Sequence, residues 1–332
     1  MRMSMMATEA RQAPQVIARQ LADNAVICEH IAERLRAIAP HMIMIIGRGS
    51  SDHAGVYAKY LFEIEMGIPV CAAAPSVSGV YGRDLQLEGT VTIVISQSGR
   101  SPDILNQTEA AKRGGAYTIA LVNDETSPLA EMVDAVIPLK AGQEKAVAAT
   151  KSYLATLSAL LQLCTFWSQN NALSQSLAGL SSQLSATLTQ AQQLSREKLE
   201  NISSAVVLGR GLGYAVGREV ALKLKEVLGL HAEAFSSAEF IHGPVTLVEK
   251  QLSIIELNVN DASKPVHDEI MQDIVRRGAK VQSLSCNGGD VHPRLQPLLL
   301  LQRFYLDIEA IAVAMRLDPD TPPGLNKVTK TV

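Results

Sequence analysis

The chain has 332 residues, 47% of them apolar and 19% charged, with a formal net charge of −3. That length fits two domains of ordinary size, with ample material for buried cores. The charge balance excludes a nucleic-acid surface, which needs many Lys/Arg phosphate contacts, and the basic stretches at 223–225 and 276–280 are local.

In chain order, residues 8–38 read as one or two N-terminal helices. The run 42–46 is short, apolar and β-branched-rich, and leads straight into Gly47-Arg48-Gly49. Runs 91–95 and 117–122 have the same character, with a helical segment at 105–113 between them. Such runs suit a parallel sheet buried on both faces, with helices as crossovers. Residues 151–200, rich in Ala, Leu, Ser and Gln, carry no strand signal and read as polar helices joining two halves. A second strand, turn and helix follow over 204–228, where Gly209-Arg210-Gly211 repeats the first turn at an offset of 162. Gly115-Ala116 recurs as Gly278-Ala279 at an offset of 163, and 91–95 matches 252–256 at 161. Three matches at nearly one offset point to a duplication. The expected fold class is α/β, with two tandem domains, each a doubly wound parallel sheet. The expected boundaries are 1–38 for the N-terminal helices, 39–165 for the first domain, 166–200 for a helical connector, 201–317 for the second domain and 318–332 for an irregular tail.

Cys28, Cys71, Cys164 and Cys286 show neither CxxC nor Cys/His metal spacing and read as buried free thiols, which suits a reducing cytoplasm. The opening MRMSMMATEA lacks the apolar core of a signal peptide. The apolar stretch 298–315 is broken by Arg303, Asp307 and Glu309. The chain is therefore expected in the cytoplasm, neither exported nor membrane-spanning.

The most informative loop is Ser96-Gln97-Ser98-Gly99-Arg100-Ser101-Pro102-Asp103, directly after the strand 91–95. Pro102 fits the first helical position, Ser101 the N-cap and Asp103 the first turn. A Ser-rich loop opening a helix gathers N–H groups, hydroxyls and the positive end of the helix dipole at one point, where phosphate is the natural anion. A plain capped turn of soluble residues is the alternative. A dinucleotide site fits less well. The first Gly-Arg-Gly has Asp52 where GxGxxG needs its last glycine, and Ala72, Ala73 and Ala74 stand where the ribose-binding acid would be.

Three candidates for proton transfer follow. Glu219, Lys223 and Glu226 stand at i, i+4 and i+7 on one helix face. A solvated charged face is the ordinary reading, but the rest of the helix is apolar, so these charges are candidates for a cleft where a carboxylate shuttles protons. His242, before Gly243-Pro244, is of the residue type most often used for acid–base work near neutral pH, although most such histidines are structural or merely exposed. Lys327, in the tail, is on its own an ordinary solvated charge.

In sequence, the motifs are Gly47-Arg48-Gly49-Ser50-Ser51, Ser96-Gln97-Ser98-Gly99-Arg100-Ser101, the run QEKAVAATK at 143–151, Ala221-Leu222-Lys223-Leu224-Lys225-Glu226, His231-Ala232-Glu233-Ala234, Glu239-Phe240-Ile241-His242-Gly243-Pro244 and Asn326-Lys327-Val328-Thr329. Together, in this order, they resemble the sugar isomerase (SIS) family, in particular the isomerase half of glucosamine-6-phosphate synthase. The resemblance implies a flavodoxin-like SIS fold in each half and a homodimer. It implies that Ser96, Gln97, Ser98 and Ser101 hold a sugar phosphate, that Ser50 and Ser51 help bind the sugar, and that Val147 and Ala148 line the site. Glu226 matches the base that moves a proton between carbons 1 and 2, and Lys223 a basic neighbour that tunes it. His242 matches the ring-opening histidine, which in the family reaches the site from the other subunit. Lys327 matches the lysine that contacts the open-chain sugar.

The sequence departs from the synthases where their glutaminase domain, with its nucleophilic Cys, would stand, so glutamine hydrolysis is not expected of it. Arg100 replaces an acidic loop residue, and Asn326 a small residue before the lysine. The expected reaction is isomerising deamination of glucosamine 6-phosphate to fructose 6-phosphate and ammonium, which needs no ammonia donor. A deglycase acting on a phosphorylated fructosamine and a non-catalytic sugar-phosphate sensor are the alternatives. No metal or organic cofactor, nucleic acid or membrane partner is expected. One phosphate site is expected per chain, because the loop at 258–265 lacks the Ser-Gln-Ser pattern.

Overall fold

The computed structural model describes residues 3–250, 252–286, 291–325 and 327. Asn326, Val328 and Thr329 of the tail motif lie outside the described residues. The chain divides into two compact units: a first of Gln15–Glu144 and Lys151–Ala178, and a second of the chain start to Pro14, Lys145–Thr150 and Gly179–Lys327.

Two helices open the chain, α1 (Met5–Asp23) and α2 (Ala25–Ile38), and the boundary between the units falls within α1 at Pro14. The first unit continues with β1 (Ile43–Ile46), α3 (Ser50–Met66), β2 (Val70–Ala72), α4 (Pro75–Gly79), β3 (Val91–Ile95), α5 (Pro102–Arg113), β4 (Tyr117–Val122), α6 (Pro128–Met132), β5 (Ala135–Pro138), α7 (Lys151–Ser168) and α8 (Asn171–Ala178). Its sheet is parallel throughout, in the order β2-β1-β3-β4-β5. β1 and β3 are buried at every position, which explains their unbroken apolar runs. One core cluster joins Met44, Ile46 and Val94 of the sheet to Ile104 and Ala111 of α5.

The second unit contains α9 (Leu180–Thr187), α10 (Arg196–Leu199), β6 (Ser204–Gly209), α11 (Leu212–Leu228), β7 (His231–Ser236), α12 (Ser237–Phe240), β8 (Ser253–Asn258), α13 (Lys264–Arg276), β9 (Lys280–Ser285) and α14 (Gln296–Ala314). Its parallel sheet runs β7-β6-β8-β9, the first unit's order without the last strand. The expectation of α/β architecture in two tandem parallel-sheet halves holds.

The repeat is visible in the backbone. Gly49 and Gly211 precede α3 and α11 with nearly identical angles, φ 54°, ψ −126° and φ 53°, ψ −124°, a region essentially restricted to glycine. One repeat match shifts by a residue. Ile43 pairs with Val91, and Ala205, its equivalent at the offset of 162, pairs with Ser253, so Val91 corresponds to Ser253 and not to Leu252.

Two other expectations change. Residues 151–168 are not a polar joining segment: every side chain of α7 from Lys151 to Thr165 is buried. Two of its threonines bond back to the preceding turn, Thr156 Oγ1 donating to Ser152 O at 2.9 Å and Thr165 Oγ1 to Leu161 O at 2.7 Å. The four cysteines are free, but only Cys28 and Cys164 are buried; Cys71 and Cys286 are half-buried. No helix among the described residues is long and apolar enough to cross a membrane.

Candidate active site

In the first unit, the 96–101 loop forms where β3 runs out. Ser96 N–H continues the sheet by donating to Leu121 O at 3.1 Å, and Asn123 N–H donates to Gln97 O at 3.0 Å. The chain then reverses at Gly99, φ 62°, whose N–H donates to Ser96 Oγ at 3.2 Å. A Cβ on Gly99 would stand 2.6 Å from Ser127 Cβ, so glycine is required for space as well as for conformation. Ser101 occupies the N-cap of α5 with extended backbone angles, Pro102 follows at the first helical position, and the Ser101 side chain makes no cap hydrogen bond. Gln97 Nε2 donates to Glu144 at 3.1 Å, and this buried carboxylate also accepts from Ser152 N–H at 3.2 Å and Ser152 Oγ at 2.6 Å. Ser50 and Ser51 are the first residues of α3, directly after the Gly49 turn. Arg48 pairs with Asp103 in the first turn of α5 at 2.7 Å, tying that turn to the loop's helix. The guanidinium of Arg100 lies on Asp124 at 2.7 Å. Thr126 and Arg100 bonded to the Asp124 carboxyl hold it down to about 2. The unexpected positive charge in the loop is therefore balanced by a local carboxylate.

Placing alanine at position 99 is expected to raise the KM for a sugar phosphate about tenfold, leaving kcat within about twofold. A residue forced into the left-handed region costs about 1–3 kcal/mol, and 1.4 kcal/mol is a factor of ten. Steady-state kinetics check this, and an unchanged KM removes the loop from phosphate binding.

The counterpart loop in the second unit differs. Ser263, equivalent to Ser101 at the offset of 162, directly precedes α13, but its N–H and Oγ donate to Asp261 Oδ1 at 2.7 and 2.6 Å. A carboxylate of the chain itself lies where Ser101's loop has none.

α11 carries the second group. Its charged face is not solvated: Glu219 and Lys223 are fully buried, and Glu226 is one-fifth exposed. Lys223 Nζ sits 3.0 Å from Glu219 and 2.6 Å from Glu226. Burial alone would lower the Lys223 pKa, but the two flanking carboxylates outweigh it and hold the value above its ordinary position. Glu226 opens onto a cavity of about 420 Å³ lined also by Leu222, Val227, Asp318, Pro322 and Leu325. In the same unit, Lys327 Nζ donates to Ala146 O at 2.7 Å, beside half-buried Val147 and buried Ala148. His242 is exposed in the turn after α12, with its N–H donating to Glu239 O at 3.0 Å, and it does not line the Glu226 cavity. Among the described residues no group of three or more His, Cys, Asp or Glu could hold a metal ion.

The SIS domain profile matches residues 38–166 and 198–296. The chain belongs to the SIS domain family. A glutamine–fructose-6-phosphate aminotransferase (isomerizing) of Sulfurisphaera tokodaii is 31% identical over 301 residues, covering 86% of this chain and 49% of that protein. The chain thus spans about half the length of the curated relatives it matches. A candidate phosphosugar isomerase of Silicibacter pomeroyi has a similar structure, with TM-score 0.90 and 35% identity over 96% of this chain and all of that one. The C-terminal domain of glucosamine-fructose-6-phosphate aminotransferase from Francisella tularensis follows at TM-score 0.83 and 25% identity, over 97% and 99%.

Three polar groups of this SIS chain escaped the sequence reading. Glu144 stands in a quoted motif, but its bond to Gln97 depends on a loop closing across 47 residues. Glu9 and Asp320 were unmarked. Glu9 falls on the apolar stripe of α1 with Met6, Ala10 and Ala13, all buried, and an acid on such a stripe was the available signal.

Proposed function

We propose that the chain catalyses the isomerising deamination of glucosamine 6-phosphate to fructose 6-phosphate and ammonium. The carrying observation is the buried Glu219–Lys223–Glu226 constellation, whose outer carboxylate alone meets open space. A carboxylate poised there suits proton abstraction next to a carbonyl. The kinship with isomerase domains of aminotransferases that use fructose 6-phosphate supports the substrate class.

In this reading the loop 96–101 and the start of α3 hold the phosphate, whose binding energy orients the open chain. His242 assists ring opening. Glu226 takes the carbon 2 proton of the open-chain amino aldehyde, giving an enaminol, and returns a proton to carbon 1. The carbon 2 iminium that results is hydrolysed: water adds, the carbon–nitrogen bond breaks, and ammonium leaves with the ketose. Lys223, 2.6 Å from the Glu226 carboxylate, holds that carboxylate in place beside the cavity, and Lys327 steadies charge at the reacting oxygens.

The test is release of ammonium and fructose 6-phosphate from glucosamine 6-phosphate without glutamine. Equal amounts of both are expected. Binding without release would overturn the deaminase reading in favour of the deglycase, whose larger amine substituent suits the roomy cavity beside Glu226. We further propose a homodimer in which His242 serves the neighbouring subunit. Mixed His242→Ala and Glu226→Gln subunits are then expected to regain activity that neither variant has alone. Verified mixed dimers that stay inactive count against sharing.

A further inference from the structure

The second unit ties the beginning of the chain to the segment that carries Lys327. Four links close the circuit. The carboxylate of Asp320 accepts from Met5 N–H at 2.9 Å and Met6 N–H at 2.8 Å, capping the start of α1 from the far end of the sequence. One turn on, the buried carboxylate of Glu9 accepts from Lys145 N–H at 2.5 Å and Ala146 N–H at 3.1 Å. The next N–H, of Val147, donates to the backbone oxygen of Asp320 at 3.0 Å. Between these bonds the Ala146 carbonyl is left facing the tail, and it accepts from Lys327 Nζ at 2.7 Å. Three consecutive N–H groups of the 145–147 segment are thus committed to α1 and the tail, and the carbonyl they leave over holds the tail lysine.

α1 is itself held at the right depth. Pro14 has no N–H, so the carbonyl of Ala10, four residues earlier, lacks its helical donor. Buried Gln302 of α14 fills the gap, its Nε2 donating to Ala10 O at 3.0 Å, and Ser181 Oγ donates to Pro14 O at 2.9 Å. A proline inside the helix thereby becomes the fixed point that sets Glu9 against residues 145 and 146.

We propose that the first half of α1 is a positioning element for Lys327, with Glu9 its key residue. As a statement about catalysis this rests on the reading that Lys327 contacts the sugar; as a statement about where Lys327 is held, it does not. Only a carboxylate suits the position. Both of its oxygens accept, whereas the NH2 group of glutamine would meet one of the two N–H donors head-on.

The experiment compares Glu9→Ala and Glu9→Gln with Arg11→Ala, an exposed change on the same helix. Purified proteins are reductively methylated with formaldehyde and cyanoborohydride, and labelling of Lys327 is measured by peptide mass spectrometry relative to exposed Lys198. Lys327 in Glu9→Ala is expected to label at least about threefold faster than in the unaltered chain, with Glu9→Gln between the two and Arg11→Ala unchanged. Deaminase kcat is expected to fall about 10- to 100-fold in Glu9→Ala, the scale of a misplacement of about 1 Å, with fructose 6-phosphate affinity retained within about threefold. Unchanged Lys327 labelling in folded Glu9→Ala overturns the proposal whatever the activity does. If Glu9→Ala does not fold, Glu9→Gln carries the same decision. Faster labelling in a protein whose unaltered form releases no ammonium keeps the positioning role and removes the deaminase.

Discussion

Glu226→Gln is expected to lower turnover of glucosamine 6-phosphate by about 10²–10⁴-fold, the usual contribution of a positioned general base. Its affinity for fructose 6-phosphate, measured by calorimetry, is expected to stay within about threefold. The two effects separate because the amide keeps the size of the side chain but cannot take a proton. Removing the Glu226 charge leaves Lys223 paired with Glu219 at 3.0 Å, a neutral buried pair, so the fold has no reason to suffer. Turnover within tenfold of the unaltered chain would require another base, and Glu219, fully buried, is poorly placed to reach a substrate.

Lys223→Met acts on stability first. It removes the ammonium that stands 3.0 Å from Glu219, a carboxylate with no exposed surface, and removing one partner of a buried pair typically costs about 3–5 kcal/mol. Methionine nearly matches lysine's shape, so packing contributes little to the loss. Because the folded-state pKa of Lys223 is raised above its ordinary 10.5, the stabilisation is complete below that value and disappears as pH climbs through the raised one. The loss is therefore expected to be the same from pH 6 to 9, and the variant and the unaltered chain should converge only at strongly alkaline pH. Urea midpoints across that range check it. The double variant Glu219→Gln with Lys223→Met is expected to recover more than half of the lost stability, since a neutral amide no longer needs the cation. A loss below about 1 kcal/mol in Lys223→Met would mean that Glu219 takes up a proton or finds another partner.

The legible parts of this fold were those written in short-range pattern. Unbroken apolar runs marked β1, β3 and β4, and Ser101-Pro102 marked the start of α5. The paired Gly-Arg-Gly turns marked the repeat. Two features were misread because they depend on contacts distant in sequence. The Ser, Thr and Gln residues of α7 looked solvent-facing, yet Gln162 reaches Leu21 O at 2.7 Å across 141 positions. The β3 to β8 match slipped by one residue because both strands are buried on both faces, so neither shows the clean apolar–polar alternation that would fix the register. The candidate site was legible where side chains share one helix, as on α11. It was not legible where a carboxylate meets backbone amides, as Glu9 does, since amides leave no trace in composition.

Asp261 gives the duplicated loop a different fate. Tethered two residues before Ser263, its carboxylate meets the Ser263 N–H and hydroxyl at an effective concentration far above that of any dissolved metabolite. A free phosphate arriving there would have to displace an anion that cannot diffuse away, and would be repelled by it. The second copy of the fold thus keeps the shape of a receptor while carrying its own permanent antagonist. Sequence identity between the two halves is accordingly a poor guide to which of them competes for ligand.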